Sequence, residues 1–379
     1  MTLCNRYVLT SYTWTVTEII SCSTFLTGAA YCYISEVSKN DLAACVRHSA
    51  VKLNQQTLFR FGRRSVVPTG LSIFMVGCYM LLSLNARTFI AERYSVDDRL
   101  TILLFATNAN TKFCHLLETA KMNDQNIDVI GWGAVDSRRF SRAFAEHLCS
   151  LNATDIVIGS DAFDALFTNS ATPSLILEKF KKKQSDFIWS AESNMFPPFS
   201  ELPTWVKVGY PQFTGKYMYL NFGAWIGRAD AACHFFKRAA NALDGQPLLI
   251  RGTSDKVSCG NLPHDQAAAH CVLAAENLNQ GSSDFTYSLD NDNQIFHSAW
   301  PKCDDIDLSN PHMPMVTSTS TQPALLHFNG DSKRCSDECY RHRYRISREK
   351  FSEAEIRVFD TEKQASNVPL RQICRFDEI

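Results

Sequence analysis

Asp161 and Asp164 flank Ala162 and Phe163 directly after the apolar run Ile156 to Ile158. That run reads as a buried strand, and carboxylates just past a strand end stand where open α/β sheets bind ligands. Carboxylate oxygens are hard donors, suited to a divalent cation that in turn holds a diphosphate. Far downstream, Ala324-Leu325-Leu326 carries His327 at its end, with Phe328-Asn329-Gly330 behind it. An isolated pair of this kind is more often a helix cap and a solvated turn, and a lone histidine is more often an interior residue. Two carboxylates and an imidazole, each following a strand-like run, point instead to metal ligation. The donor set suits manganese better than magnesium, which rarely takes nitrogen.

Such a site would serve a metal-dependent transferase acting on a nucleotide sugar. The chemistry requires a grip on the base and ribose, neutralisation of the leaving diphosphate by a Lewis acid, and an acceptor hydroxyl placed in line. Lys333, six residues beyond His327 and on an expected loop, offers a point charge for the diphosphate. Asn221 lies among Leu220, Phe222, Gly223 and Ala224, and a buried amide must be bonded. It either braces a turn or grips a sugar hydroxyl, and Gly223 would permit close approach of a ligand. Asp265 opens an expected helix. It is either a dipole complement worth under about 1 kcal/mol or a sugar or acceptor contact.

The elements that must position these residues alternate. Strands are expected at Leu100 to Ala106, Ile127 to Ile130, Asp155 to Ser160 and Phe187 to Ser190. Helices are expected at Lys112 to Lys121, Arg138 to Cys149 and Leu175 to Lys183. Strands alternating with helices of about ten residues signify βαβ units and a mainly parallel sheet. Beyond Pro211 come an aromatic-rich strand region, Tyr217 to Gly227, and helices at Ala229 to Leu243 and Pro263 to Glu276. Short strands follow at Tyr287 to Leu289 and Ile295-Phe296, then a Ser-, Thr-, Pro- and Asp-rich loop from Pro301 to Pro323.

A net charge of -1 over 379 residues gives no electrostatic footprint for nucleic acid. Fourteen cysteines without paired CxxC spacing read as disulfides in an oxidising compartment. Nine of them follow residue 85, an odd number, so one would stay free or pair between chains. Val66 to Leu84 carries no charge and approaches the length of a membrane span. The basic cluster Arg60 to Arg64 before it places the N-terminus in the cytosol and the remainder in the lumen. The expected organisation is a cytosolic segment 1–64, a signal-anchor helix 65–86, a catalytic domain 95–335 and a Cys- and Arg-containing tail 336–379. Residues 1–59 remain open between a tail, a second membrane segment and a misassigned start. A luminal domain would expose the sequon Asn152-Ala153-Thr154.

Taken in order, several short pieces resemble the glycosyltransferase domain of the procollagen lysyl hydroxylase (PLOD-like) family. They are Ala106-Thr107-Asn108, Thr119-Ala120-Lys121, Gly131-Trp132-Gly133, Asp161 to Asp164 and Ser190-Ala191-Glu192. Leu220 to Gly227, Asp265-Gln266, Leu289-Asp290, Ile295-Phe296 and His327 to Gly330 complete the series. The resemblance implies a GT-A type α/β fold, a Rossmann-like, mostly parallel sheet with helices on both faces. It implies manganese, a UDP-sugar donor and transfer of galactose or glucose to a hydroxyl of a protein or glycan in the Golgi or endoplasmic reticulum. By position, Asp161, Asp164 and His327 match the metal ligands, and Thr107 and Phe163 the uridine contacts. Asn221, Asp265 and Gln266 match the sugar and acceptor side, with Asp265 and Asn221 as catalytic candidates. Gly330 and Lys333 match the diphosphate contacts, and Asn108, Trp132 and Gly223 are further substrate-binding positions. The chain departs from the family at Asp136, where a second tryptophan is usual, and in the glycine-rich segment that follows. An acidic run before Asp-Gln is reduced to Pro263-His264. These departures raise the alternative of a catalytically degenerate nucleotide- or glycan-binding relative.

Overall fold

A computed structural model describes residues 99–134, 140–250, 256–279, 284–300, 303–310, 313–343 and 353–374. All of them belong to one compact unit, Ser72–Ile379. The expected segment 1–64 and membrane helix 65–86 lie outside the described residues. Among the described residues no helix is long and apolar enough to cross a membrane.

The chain opens with strand β1 (Leu100–Phe105), helix α1 (Thr111–Lys121), β2 (Ile127–Ile130), α2 (Phe140–Leu148) and β3 (Ile156–Asp161). There follow β4 (Ala165–Phe167), α3 (Pro173–Lys183), β5 (Phe187–Glu192), α4 (Thr204–Gly209), β6 (Tyr219–Arg228) and α5 (Ala229–Leu243). Then come β7 (Leu248–Leu249), β8 (Lys256–Val257), α6 (Asp265–Leu278), β9 (Tyr287–Leu289) and β10 (Phe296–Ser298). The last part holds β11 (Ile306–Asp307), β12 (Met315–Val316), β13 (Leu325–His327) and α7 (Lys333–Arg343). It closes with β14 (Glu355–Phe359), β15 (Ala365–Pro369) and α8 (Leu370–Ile373).

The central sheet has the order β15-β14-β2-β1-β3-β6-β5-β9. β14, β2, β1 and β3 run parallel, as do β5 and β9, while β6 runs antiparallel to both its neighbours. The sheet is thus mostly parallel, as its βαβ pattern dictates. Side chains alternate across a strand. Leu103 and Phe105 of β1 therefore join one core cluster with α2, α5 and α6, and Leu100, Ile102 and Leu104 join a second with α1 and α3. Helices cover both faces. α1 starts where Asn110 accepts a hydrogen bond from the Phe113 N–H at 2.9 Å, a side-chain cap worth about 1 kcal/mol.

Two features depart from the expected pattern. The stretch from Pro301 to Pro323 is not wholly loop, since β11 and β12 pair within it. Residues beyond 335 do more than trail from the domain, because β14 lies against β2 and extends the sheet. Arg357 of β14 is paired with the buried Asp128 of β2, and a disulfide joins Cys374 to Cys114 of α1. Glu355 to Phe359 is short and carries two charges, so local pattern alone does not mark it as a sheet strand.

Candidate active site

β1, β2 and β3 end in register, with Phe105 level with Ile130 on one side and Asp161 on the other. Two residues past these ends stand Thr107, Trp132 and Phe163. Trp132 and Phe163 are half-buried, and their rings flank Phe113 with centroids 6.0 and 6.1 Å away. The Thr107 carbonyl accepts the Gly133 N–H at 3.0 Å, and Asn108 beside it is exposed. The expected nucleotide contacts therefore gather at one edge, the carboxyl edge of the parallel strands.

The chain turns after Asp161 into β4, which pairs antiparallel with β13 and sets His327 opposite Ala165. The Phe328 N–H donates to the Asp164 carbonyl at 2.7 Å and locks this register. His327 Nε2 consequently lies 3.3 Å from Asp161 Oδ2 and 3.5 Å from Asp164 Oδ1. One donor atom from each of the three residues falls within 4.8 Å of the others. Asp164 and His327 are buried, whereas the Asp161 side chain is 38% exposed and opens the cluster to solvent. Both His327 ring nitrogens are buried without a hydrogen bond in acceptable geometry. A buried imidazole without a well-formed hydrogen bond, beside two carboxylates, fits a divalent cation with one side left open.

Charge in this cluster is set by its members. Burial would raise the Asp164 carboxyl, but His327 and Lys333 overcome it and hold the group down at about 2. Burial would lower the His327 imidazole, but Asp164 and then Asp161 raise it to about 10. The imidazolium proton thus occupies the electrostatic place of a cation. Lys333 Nζ sits 2.8 Å from Asp164 Oδ2, and its side chain stays half exposed. It opens α7 rather than lying on a loop, so the helix fixes its position.

Two glycines are required by close packing. A Cβ at Gly223 would come within 2.1 Å of the His327 ring, so what approaches Gly223 in this structure is the imidazole. Gly330 has φ +57°, and a Cβ there would stand 1.9 Å from the Trp300 ring. Gly330 therefore shapes the turn after His327 that delivers Lys333.

A second set of polar groups flanks Asn221. Glu192, at the end of β5, accepts hydrogen bonds from Gln266 Nε2 at 2.9 Å and Asn329 Nδ2 at 2.8 Å. Asn221 beside it favours the carboxylate form of Glu192, and its own Oδ1 accepts the Gly223 N–H at 3.0 Å. Burial pushes the Glu192 carboxyl up to about 7 against these amide donors. Gln266 Nε2 donates further to the Phe196 carbonyl at 2.7 Å. Gln266 and Asn329 therefore brace Glu192, a residue without an expected role. The signal was there: Glu192 ends the apolar run Phe187 to Ala191 much as Asp161 ends its own. Asp265 is placed differently, for its carboxylate accepts the Ser141 N–H at 2.9 Å and the Ser141 hydroxyl, tying α6 to α2. Burial raises its carboxyl, the Ser141 bonds opposing.

Residues 96–246 match the family model described as the PLOD GT domain. Over that stretch the chain is similar to a PLOD-type glycosyltransferase domain, and the mostly parallel sheet is compatible with that likeness. The match includes Asp161, Asp164, Glu192 and Asn221 but ends before Asp265, His327 and Lys333, which chain folding brings to the same edge. Among solved structures, the chain is similar to the apo-form glycosyltransferase GlyE of Streptococcus pneumoniae TIGR4. Identity there is 11% and the TM-score 0.34, over 66% of this chain and 61% of that one. The chain thus spans less than two thirds of that protein's length. No curated protein matches.

Proposed function

We propose that this chain is a metal-dependent glycosyltransferase of GT-A type. It would move galactose or glucose from a UDP-sugar to a hydroxyl of a protein or glycan acceptor. The observation that carries this reading is the buried His327 imidazole, 3.3 and 3.5 Å from the Asp161 and Asp164 carboxylates, at the carboxyl edge of the sheet. Asp161, Asp164 and His327 would hold a manganese ion, which supplies charge neutralisation to the leaving diphosphate. Lys333 adds a positive charge on the same side. Trp132, Phe163 and Thr107 line the place for the uridine. Glu192, braced by Gln266 and Asn329, titrates near neutrality, the range in which a carboxyl exchanges protons with an acceptor hydroxyl. Cysteine content and the apolar, charge-free run before residue 85 support a type II membrane protein of the Golgi or endoplasmic reticulum with this domain luminal. The exposed Asn152 would then be open to glycosylation.

A second reading is a relative that binds nucleotide without transfer. It is favoured by Asp265, a catalytic candidate whose carboxylate is engaged with Ser141. UDP-galactose and UDP-glucose turnover by the purified chain, with manganese and with chelator, tests the first reading. Manganese-dependent UDP binding by calorimetry without turnover on any acceptor supports the second. Absence of UDP binding in manganese would remove both.

A further inference from the structure

Phe196, in the segment that follows β5 and Glu192, is left 54% exposed. A single exposed apolar residue is ordinary, but this one is held at both ends. Its carbonyl accepts Gln266 Nε2 at 2.7 Å and Nε2 of the buried His270 at 3.1 Å, both from α6. Its ring lies parallel to that of His264, with an interplanar angle of 1° and centroids 5.1 Å apart. His264 is fixed in turn, because its Nδ1 accepts the Ala267 N–H at 3.3 Å and so caps α6. The stack leaves the outer face of the Phe196 ring to solvent. The Gln266 nitrogen that bonds the Phe196 carbonyl also donates to Glu192 Oε1 at 2.9 Å. One amide thus separates the Phe196 backbone from the carboxyl of the polar set.

We propose that the outer face of Phe196 is a platform on which a sugar ring of the acceptor stacks, its hydroxyls turned toward Gln266, Asn329 and Glu192. A pyranose has an apolar face of C–H groups and a rim of hydroxyls. The C–H groups are weakly positive and meet the negative face of an aromatic ring, while the hydroxyls need donors and acceptors. Phe196 supplies the first surface, and the part-exposed amides of Gln266 and Asn329 supply the second. An apolar peptide side chain would use the ring and leave those amides unmatched, which favours a saccharide as the occupant. Because the ring is already pinned through its carbonyl and stacked on a helix cap, little rotamer freedom is lost when a ligand settles on it. Phe196 is in this account a specificity residue, selecting an acceptor that presents a sugar. The inference deepens the proposed transfer reading and rests on it for calling this sugar the acceptor. Binding of a sugar to this face is measurable whether or not transfer occurs.

The test follows nuclear magnetic saturation transfer from the full chain to methyl β-galactoside, methyl β-glucoside and methyl α-mannoside, with manganese and UDP present. The wild type is expected to bind at least one glycoside, with saturation strongest on the ring C–H protons. Phe196→Ala should weaken that binding about tenfold. Phe196→Leu keeps an apolar side chain without a ring face and should weaken it as much, whereas Phe196→Trp should retain it. Thermal melts of the three variants check that each is folded. Equal glycoside binding by the wild type and Phe196→Ala, or none by the wild type, overturns the proposal. A preference for a phenylalanine-containing peptide over every glycoside overturns it too. Failure of the transfer reading is seen separately, as absent UDP binding and turnover, and leaves the glycoside measurement readable.

Discussion

Asp164 and Glu192 are nearly equally dry, at 5% and 3% exposure, yet their surroundings drive their carboxyls in opposite directions. Burial raises both. At Asp164 the cations His327 and Lys333 reverse that effect and bring the group to about 2. At Glu192 the partners are chiefly the neutral amides of Gln266, Asn221 and Asn329, and the group stays up at about 7. The sign of the neighbouring charge, rather than the depth of burial, decides whether a carboxyl is ionised. One flank of the site therefore keeps a permanent negative charge for a cation. The other keeps a carboxyl that can change its protonation near neutral pH.

The two flanks differ most in what they lose when their carboxyl is replaced, and the larger loss is expected at Asp164. Asp164→Asn removes one of the three proposed metal ligands and leaves His327 and Lys333 facing an uncharged amide. Metal-dependent sugar transfer is expected to fall about 10²-fold or more, with manganese affinity falling in calorimetry. Transfer close to wild type would show that this flank is not the cation site. Gly223→Ala acts on the same flank from below. Its Cβ would meet the His327 ring, and the displacement should cost about 1–3 kcal/mol of stability in urea and weaken manganese binding. Undiminished binding would mean that His327 is not a ligand.

The Glu192 flank is sharpened by pH. Its carboxyl is raised from 4.5 to about 7, so its contribution to stability is complete below 4.5 and is lost as pH rises through about 7. The loss amounts to at most about 3 kcal/mol. Between pH 4.5 and 6.5 this loss opposes the gain from His270 and His297, whose imidazoles burial pushes down and which favour folding as pH rises. Glu192→Gln should therefore make the urea midpoint rise more steeply with pH than in the wild type, and an equal slope in the variant would rule out a titrating Glu192. The smallest effect is expected at Asp265. Asp265→Asn weakens its bonds to Ser141 and should cost about 1 kcal/mol with little change in turnover. A collapse of turnover with stability intact would instead restore a catalytic part to Asp265.

Much of the scaffold was legible along the chain. The apolar runs at β1, β2, β3 and β5 and the amphipathic stretches between them repeat over windows shorter than a dozen residues. β2, α5 and β9 fall where their residues place them. The pair Asp161 and Asp164 was legible because a strand end and two carboxylates are neighbours in sequence. Less visible were β4, three residues long, and β14, whose charged side chains obscure its partner. Glu192 went unassigned because nothing near it in sequence shows that Gln266 and Asn329 will converge on its two oxygens. Asp265 shows the converse, since a carboxylate at a helix start can serve chemistry or a cap, and only the approach of Ser141 distinguishes them.

By itself, then, the order of residues determined an alternating α/β layer and the edge at which its polar groups collect, because strand and helix periodicity are local properties. Tertiary structure decided which distant side chain completes the cluster. The antiparallel pairing of β13 with β4 sets His327 beside carboxylates more than 160 positions earlier in the chain. Gly223 leaves the room for that ring, and the charges met there settle which carboxyl keeps its proton. Pairing across such separations depends on closure of the whole sheet, which no short window of sequence contains.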